Sequence, residues 1–582
     1  MTFKKLVGFF SELEKTSSRL KITEILADLF KQAGSEEIDK ICYLSLGQLA
    51  PLYEGIEFNL AEKLLIRTLA EAYDLPTEEV KRKFKDLGDL GDTAGFFDTK
   101  SLTKPFSVSE VHQRLWQLAA DSGEGSVERK IRQMANLIND LDALGAKFVV
   151  RIPLGRLRLG FSELTILDAL SWMLTGDKTQ REKIEAAYNV RADIGQIARL
   201  AKMRGLKGLG GLKVKVGTPV MPALCQRLPT AEEIINKMAP RQARGKSKVA
   251  VEPKYDGTRL SIHYYKGKLT RIFTRNLENI TPMFPEIAEV LAGAIKAREV
   301  VLDGEAIGYE PKTGRFLPFQ ETIKRKRKYQ VAQTAKDIPI KYFVFDILAK
   351  DGRDLLSLSF RERRQILEKT ININQQTIIL SPQIITQDAD KLRRFHQEQI
   401  EKGLEGVVVK KWLAPYDPGR RGFTWVKLKQ EKTKKGGGLA DTLDCVVMGY
   451  YKGRGRRAGF GIGAFLVGVR ESANSDRLLT VSKIGTGLSD EQWREMHQRA
   501  EKVRTEKSPK QYSVDKNLFP DVWCSPYIVV EIQADNITRS PVHSAGLAMR
   551  FPRLIRFRED KSASEATTLS EAKRLFKLQG ST

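Results

Sequence analysis

The chain has 582 residues, enough for several domains, and its charged fraction of 29% and hydrophobic fraction of 41% are those of a folded protein rather than a disordered one. Its 98 Lys and Arg exceed its 72 Asp and Glu, and the net charge of +26 indicates a polyanionic partner: nucleic acid, an anionic membrane or an acidic protein. No apolar run approaches the roughly 20 residues that span a bilayer. Four widely spaced cysteines argue against a zinc site and predict a reducing, intracellular compartment.

The first third of the chain has a helical pattern. Apolar residues recur every three or four positions over residues 9–29, 108–144 and 163–174, and runs typical of strands are scarce. The pattern predicts an all-α domain over residues 1–218.

A glycine-rich stretch, MRGLKGLGGLKVKVGTP at residues 203–219, follows the helical part. Its composition fits a flexible linker. Its glycines, which lack a Cβ, equally fit a close approach of the backbone to phosphate. Both interpretations stay open on the sequence alone.

The remainder divides into two parts that contain strands. Residues 219–433 alternate β-rich runs such as IKYFVFDIL with helical stretches such as PEIAEVLAGAIKA, which predicts an α+β domain. A charged, glycine-rich segment at residues 432–438 then leads into short strands separated by turn signals. This second pattern predicts a small β-barrel domain over residues 434–582.

The octapeptide EPKYDGTR at residues 252–259 is the most informative motif. A lysine beside an Asp-Gly pair, with an arginine just downstream, suits a nucleophile next to a phosphate clamp. The alternative is a solvated surface lysine before a hairpin turn, since Asp-Gly is a common turn sequence.

This octapeptide resembles motif I of the covalent nucleotidyltransferases, the superfamily of ATP-dependent DNA ligases, RNA ligases and mRNA capping enzymes. Further stretches resemble the other motifs of that superfamily in the same order: TRNLE at 274–278, LDGEA at 302–306, YFVFD at 342–346, LEGVVVK at 404–410, WVKLK at 425–429 and RFPRLIRFREDK at 550–561.

The helical part extends the resemblance over the whole chain. Its segments GSVERKIRQMANLI and VVRIPLGRLRLGFSELTILDAL are similar to the DNA-binding domain of archaeal and eukaryotic replicative ligases, and VVEIQADNITRSP is typical of the same branch. The chain therefore resembles an ATP-dependent DNA ligase of archaeal type. The resemblance implies a multidomain fold: an all-α DNA-binding domain (1–218), an α+β adenylation domain (219–433) and a β-barrel OB-fold domain (434–582).

The resemblance implies that the enzyme takes AMP from ATP onto a lysine, passes it to the 5′-phosphate of a nick and releases it when the 3′-hydroxyl attacks. It assigns Lys254 as the nucleophile. Nearby cations, namely Lys427, Lys429 and bound Mg²⁺, are expected to lower its pKa, while Asp256 opposes them. The remaining nucleotide contacts it implies are Glu252 and Phe345 at adenine, Arg259 and Arg275 at the phosphate and ribose, Glu305 at the ribose or a metal, and Arg421, Lys427 and Lys429 at the α-phosphate.

Several of these residues also have ordinary interpretations. By pattern alone Phe345 is a core aromatic in an apolar strand, and Lys427 and Lys429 form a solvated strand face around Leu428. The expected metal is Mg²⁺, with Mn²⁺ as a substitute, held by oxygen ligands from Asp256, Glu305 and Glu405.

In the last motif, Arg558 and Lys561 are expected to orient the pyrophosphate, with a solvated basic face as the alternative. This predicts a C-terminal domain that moves, with its hinge at residues 432–438.

DNA contacts are expected mainly at the backbone, because a ligase acts on any sequence. The expected partner is nicked double-stranded DNA, a sliding clamp is a further partner common in this family, and a monomer in a prokaryotic cytoplasm, associated with the nucleoid, is expected. The roles implied are DNA replication, repair and recombination. The basic candidates for DNA contact are Arg156, Arg158, Lys202, Arg204, Lys207, Lys213, Lys215, the run at 324–328, Lys452, Arg454, Arg456 and Arg457.

Two rival functions remain at this stage. An enzyme of the same superfamily that acts on RNA is opposed by the helical first domain. A non-catalytic nick-binding scaffold is opposed by the intact KYDGTR, EGVVVKK, WVKLK and REDK motifs.

Overall fold

The computed structural model describes residues 1–98, 105–155, 157–239, 247–325, 331–372, 376–419, 421–429, 442–453 and 455–578. The chain forms two compact units, Met1–Gln430 and Glu431–Thr582. In the described ranges, no helix has both the length and the apolar character needed to cross a membrane.

The first part of unit one is built of helices, as the sequence pattern predicts. Their apolar faces meet in one core, where Phe10 and Phe148 pack edge to face with ring centroids 5.4 Å apart. The helix Val108–Ala120 begins at a capping box in which Ser107 and Glu110 satisfy each other's backbone N–H groups. The helices are α1 (Phe3–Glu14), α2 (Arg19–Gln32), α3 (Ile38–Ser45), α4 (Glu62–Tyr73), α5 (Thr77–Leu87), α6 (Leu90–Phe97), α7 (Val108–Ala120), α8 (Ser126–Asn139), α9 (Ala143–Arg151), α10 (Glu163–Thr175), α11 (Arg181–Val190) and α12 (Ile194–Leu209).

The glycine-rich stretch is held in place instead of forming a free linker. Its first residues belong to α12, which breaks at Gly205, where φ is +57°. Further along, Val214 N–H donates to Asp354 at 2.7 Å and Gly217 N–H donates to Nδ1 of the buried His263 at 3.1 Å. The flexible-linker interpretation is therefore wrong for the residues that make these contacts.

The second part of unit one contains two sheets with helices packed on them. One sheet has the strand order β1-β11-β10-β2-β9, and the other has the order β4-β3-β5-β6-β7, with β8 added beside β6. The strands are β1 (Leu224–Arg227), β2 (Val249–Pro253), β3 (Thr258–Tyr265), β4 (Leu269–Thr274), β5 (Glu299–Gly308), β6 (Ile340–Lys350), β7 (Arg353–Asp354), β8 (Ile378–Leu380), β9 (Ile384–Thr386), β10 (Gly406–Lys411) and β11 (Arg421–Lys429). The helices are α13 (Ala231–Met238), α14 (Pro285–Ala294), α15 (Phe319–Thr322), α16 (Val331–Asp337), α17 (Phe360–Thr370) and α18 (Ala389–Glu401).

Unit two is rich in strands, and its core is formed by side chains such as Val447, Phe465 and Trp493. Its main sheet follows the path β15-β17-β12-β13-β14-β16, and β18 joins β12 to β21. The strands are β12 (Leu443–Lys452), β13 (Ile462–Arg470), β14 (Leu478–Ile484), β15 (Arg504–Thr505), β16 (Tyr512–Ser513), β17 (Val522–Cys524), β18 (Val529–Gln533), β19 (Asn536–Arg539), β20 (Leu547–Arg550) and β21 (Arg553–Phe557), and the helices are α19 (Asp490–Lys502) and α20 (Leu569–Leu578). The predicted fold class, helical then α+β then β-rich, is confirmed.

Candidate active site

Lys254 lies just past the end of β2, where strand pairing brings distant residues together. Strand β10 pairs with β2 on one side and with β11 on the other, both antiparallel. The N–H of Lys254 donates to the carbonyl oxygen of Gly406 at 2.9 Å, and the N–H of Glu405 donates to the carbonyl oxygen of Lys254 at 3.1 Å. Lys429 pairs with Gly406 in the next ladder. Three of the predicted site residues therefore share one edge of this sheet.

The amino group of Lys254 is ion-paired. Its Nζ contacts the Glu405 carboxylate, and Nζ of Lys429 lies 2.9 Å from the same oxygen. Burial alone would lower the pKa of Lys254, but Glu405, Glu305 and Asp256 outweigh burial and raise it. Without a metal ion, the expectation that Lys427 and Lys429 lower this pKa is wrong, because carboxylates dominate the surroundings of Nζ.

The two glutamates near Lys254 differ in their protonation behaviour. Burial raises the pKa of Glu305 to about 7, with Asp303 and Glu405 adding to that rise and Lys254 opposing it. Burial would also raise the pKa of Glu405, but its contacts with Lys254 and Lys429 outweigh burial and lower the pKa to about 2. Glu405 therefore carries a charge throughout the neutral range, whereas Glu305 titrates within it.

The guanidinium of Arg259 forms an ion pair and hydrogen bonds with other groups of the protein. Its guanidinium forms a bidentate pair with Asp303 at 2.9 and 2.6 Å, and it also donates to the carbonyl oxygen of Ala223 at 2.6 Å. The hydroxyl of Tyr416 donates to the same Asp303 carboxylate at 2.8 Å. Arg259 and the exposed Arg275 line one surface pocket. Asp303 lies within the LDGEA stretch at 302–306, but nothing in the sequence indicated its pairing with Arg259 or its contact with Tyr416.

The residues predicted at adenine lie around a buried lysine that sequence reasoning missed. Nζ of Lys410 lies 2.6 Å from Oε2 of Glu252, and the two side chains are only 1% and 2% exposed. Phe345 is half-buried and packs edge to face on Trp425, with ring centroids 5.8 Å apart. Arg364 approaches the other oxygen of Glu252, with Nη1 at 3.6 Å. The available signal was a lysine at the end of the apolar run GVVVK.

The Asp-Gly pair of the octapeptide is a close backbone contact between strands. A Cβ on Gly257 would lie 2.2 Å from the carbonyl oxygen of Ala306, so only glycine fits. Asp256 accepts a hydrogen bond from the N–H of Phe319 at 3.2 Å, which ties the octapeptide to the start of α15.

Some predicted positions lie outside what the structure describes. Arg421 begins β11, but its side chain is outside the described side chains, as is that of Arg456. The predicted hinge at 432–438, Arg156, residues 326–328 of the basic run and Arg454 also fall outside the described residues.

Comparison with known proteins covers nearly the whole chain. Three family models match: "DNA ligase N terminus" over residues 2–171, "ATP dependent DNA ligase domain" over residues 222–429 and "ATP dependent DNA ligase C terminal region" over residues 458–561. The chain belongs to the ATP-dependent DNA ligase family. Its enzymatic activity is therefore the sealing of nicks in duplex DNA, and the rival RNA-directed and non-catalytic interpretations are set aside.

Relatives of the ligase are similar over their full length. A "Probable DNA ligase" from Dictyoglomus thermophilum is 44% identical, with 100% of this chain and 98% of the relative aligned. "DNA ligase 2" from Thermofilum pendens is 38% identical over the same shares of the two chains. The solved structure "Pmar-Lig_PreS3" is 19% identical, has a TM-score of 0.51 and covers 95% of this chain and 99% of its own, which supports the fold alone.

The last motif of the ligase lies within unit two, where acidic side chains hold its cations. Arg558 donates to both carboxylate oxygens of Asp444, at 2.9 and 3.0 Å, and also pairs with Asp560. Lys561 donates to the same Asp444 at 2.6 Å. One aspartate of β12 therefore orders both cations that were predicted to act on the pyrophosphate.

The ligase uses ATP and a divalent metal ion, and the carboxylates near Lys254 fit such an ion. Among the described residues no group of three His, Cys, Asp or Glu side chains forms a metal cage. Magnesium-type ions often take only one or two carboxylates and complete their shell with phosphates and water. Glu305 and Glu405 repel each other as like charges, and a cation beside them would relieve that repulsion.

Proposed function

We propose that Lys254 is the residue that becomes adenylated, and that the groups around it form the ATP site. The observation that carries this proposal is the ion-paired cluster of Lys254, Glu405 and Lys429 at one edge of the sheet. Nζ attacks the α-phosphorus of ATP, the bond from that phosphorus to the bridging oxygen breaks, and pyrophosphate leaves. AMP then passes to the 5′-phosphate of the nick, and the 3′-hydroxyl displaces it.

Before it attacks, Lys254 must lose the proton that its neighbouring carboxylates stabilise. We propose that Mg²⁺ is the metal, held by Glu305 and Glu405 with Asp256 as a further candidate. When bound, the ion supplies positive charge that offsets these carboxylates and the ATP phosphates. Lys429 and Lys427 then face the α-phosphate from β11, and their charge stabilises the developing negative charge.

The remaining nucleotide contacts in the proposal are Glu252 and Phe345 at adenine, Arg275 at the ribose and Arg421 at the phosphate. In the proposal, Arg259 contributes to this site through its ion pair with Asp303. That pair holds one wall of the pocket that Arg259 and Arg275 both line. Arg558 and Lys561 act on the pyrophosphate.

The broader role of the ligase is also a proposal. We infer a monomer that acts in DNA replication, repair and recombination within a prokaryotic nucleoid, with a sliding clamp as a partner. Relatives in Dictyoglomus and in archaea support the prokaryotic setting. The stretch QMANLIND at residues 133–140 is a loose match to a clamp-binding motif. It overlaps α8, where Met134, Leu137 and Ile138 are buried in the helical core, so helix packing explains it better than docking does.

Labelling with ATP that carries a radioactive α-phosphate tests the nucleophile. We expect a covalent label on the wild type that survives a denaturing gel and that nicked DNA removes, and a loss of at least about 100-fold of that label in Lys254→Met, because the substitution removes the amine that attacks the α-phosphorus. Lys266→Met, which alters an exposed lysine in the turn after β3, is the matched control and should label normally. A labelled Lys254→Met protein would contradict the assignment.

A further inference from the structure

The proposed chemistry does not use Lys410, a buried cation of the site. Lys410 lies on β10, and its Nζ contacts Glu252 in an ion pair that is almost fully removed from solvent. Placing two charges in the interior is costly unless each is held by further good contacts. The structure provides such contacts on both sides of the pair.

Lys410 contacts both residues that were predicted to bind adenine. Its Nζ lies 4.4, 4.6 and 4.2 Å from the ring centroids of Phe345, Phe360 and Trp425, which surround the charge with aromatic faces. It also donates to the backbone carbonyl oxygen of Phe345 at 3.3 Å. Lys410 therefore contacts both the carboxylate of Glu252 and the backbone of Phe345, whose ring is predicted to stack on adenine.

The second oxygen of Glu252 is in a different situation. Oε1 is buried and has no hydrogen-bond partner among the described residues. Arg364, whose Nε donates to Glu368 at 2.8 Å, places Nη1 at 3.6 Å from Oε1, beyond a good hydrogen bond. Buried acceptor atoms in proteins normally receive a hydrogen bond. Oε1 can therefore accept one from a bound ligand.

We propose that Lys410 is a positioning residue for base selection, which anchors Oε2 of Glu252 so that Oε1 accepts a hydrogen bond from the 6-amino group of adenine. The proposal rests on the nucleotide site proposed above. A carboxylate only accepts hydrogen bonds, so it matches the 6-amino group of adenine and repels the 6-oxo group of guanine. Burial raises the pKa of Glu252, and Lys410 and Arg364 counter that rise, which favours the accepting form.

Self-adenylation with two nucleotides measures this directly. Purine riboside triphosphate lacks the 6-amino group of ATP and is otherwise the same. The wild type should use ATP at least about tenfold more efficiently, measured as the rate constant divided by the half-saturating nucleotide concentration. Lys410→Met should remove most of that preference by raising the half-saturating concentration of ATP. Lys411→Met, the next residue of the same strand, should keep the preference.

The outcomes separate this proposal from the one on which it rests. A wild type that does not distinguish the two nucleotides would overturn the proposed adenine site. A wild type that distinguishes them, together with a Lys410→Met enzyme that does so equally, would overturn the role of Lys410 alone.

A second pair of variants keeps the test decisive if Lys410→Met does not fold, which thermal melting will show. Glu252→Gln combined with Lys410→Met removes both buried charges together. Its preference for ATP should equal that of Glu252→Gln alone, because Lys410 acts through Glu252. A further drop in the double variant would mean that Lys410 affects base choice by another route and would refute the proposal.

Discussion

At the level of single residues, the protonation states around Lys254 are set by a competition between burial and charge. Burial favours the neutral amine, and three carboxylates favour the ammonium. The ammonium prevails, so in the protein without metal or nucleotide the proposed nucleophile is in its unreactive form. In the proposed mechanism, a bound metal ion would offset these carboxylates, which would link activation of the lysine to the presence of its substrate.

Glu305 should make the stability of the ligase depend on pH. Its pKa of about 7 lies above its ordinary value of 4.5, so the folded state retains the proton longer than the unfolded state. Below about pH 4.5, Glu305 therefore does not reduce the free energy of unfolding. As the pH rises from 4.5 to about 7 that free energy falls, and above pH 7 it stays reduced. Glu305→Gln should stabilise the protein by roughly 2 kcal/mol at pH 8 and by much less at pH 5. Denaturation at both pH values, with a chelator present, measures this.

The exposed Glu289, changed to Gln, is the control for that experiment and should show no such pH dependence. An equal effect of Glu305→Gln at the two pH values would show that its raised pKa does not contribute to stability.

At the level of elements, the pairing of β10 with β2 brings Glu405 to Lys254, and the pairing of β10 with β11 brings Lys429 to Glu405. Gly406 begins β10 with φ at +135°, and a Cβ there would lie 2.2 Å from the carbonyl oxygen of Leu428. The close approach of these two strands therefore requires a glycine, since no side chain fits between the backbones.

Gly406→Ala should separate the two strands and weaken the cluster. We expect a loss of roughly 2–4 kcal/mol in stability and at least about a tenfold drop in self-adenylation, because the carboxylate of Glu405 shifts. Gly403→Ala is the matched control for Gly406→Ala. The φ of Gly403, +79°, is also left-handed, but no atom lies within 4 Å of the new Cβ. It should cost only about 1–2 kcal/mol and preserve adenylation. Equal effects of the two variants would assign the loss to backbone strain alone.

At the level of the whole molecule, the net charge of +26 now has a defined partner. A ligase that acts on any sequence must bind mainly through phosphates, and each neutralised phosphate releases a counterion. The dissociation constant for a nicked duplex should therefore rise by at least about 100-fold between roughly 50 and 200 mM salt. Titrations with two nicked duplexes of unrelated sequence should give the same slope. An affinity that hardly changes with salt would refute binding through the backbone.

The amino-acid sequence by itself determined the class of each part of the chain and predicted the chemistry of the site. Apolar periodicity predicted helices such as α10 and strands such as β6, since these depend on neighbours a few residues away. The ordered motifs indicated lysine adenylation because they keep reactive side chains at recognisable positions. Domain boundaries at 218/219 and 433/434 stay predictions.

Only the tertiary structure decided which groups meet. That Glu405 pairs with Lys254, that Arg259 is committed to Asp303 and that Lys410 anchors Glu252 all follow from the register of β2, β3, β5 and β10. Register depends on how strands far apart in the chain are aligned, and a one-residue shift would send each side chain to the opposite face. The same dependence on distant charges explains why the pKa of Lys254 is raised, which no local pattern reveals.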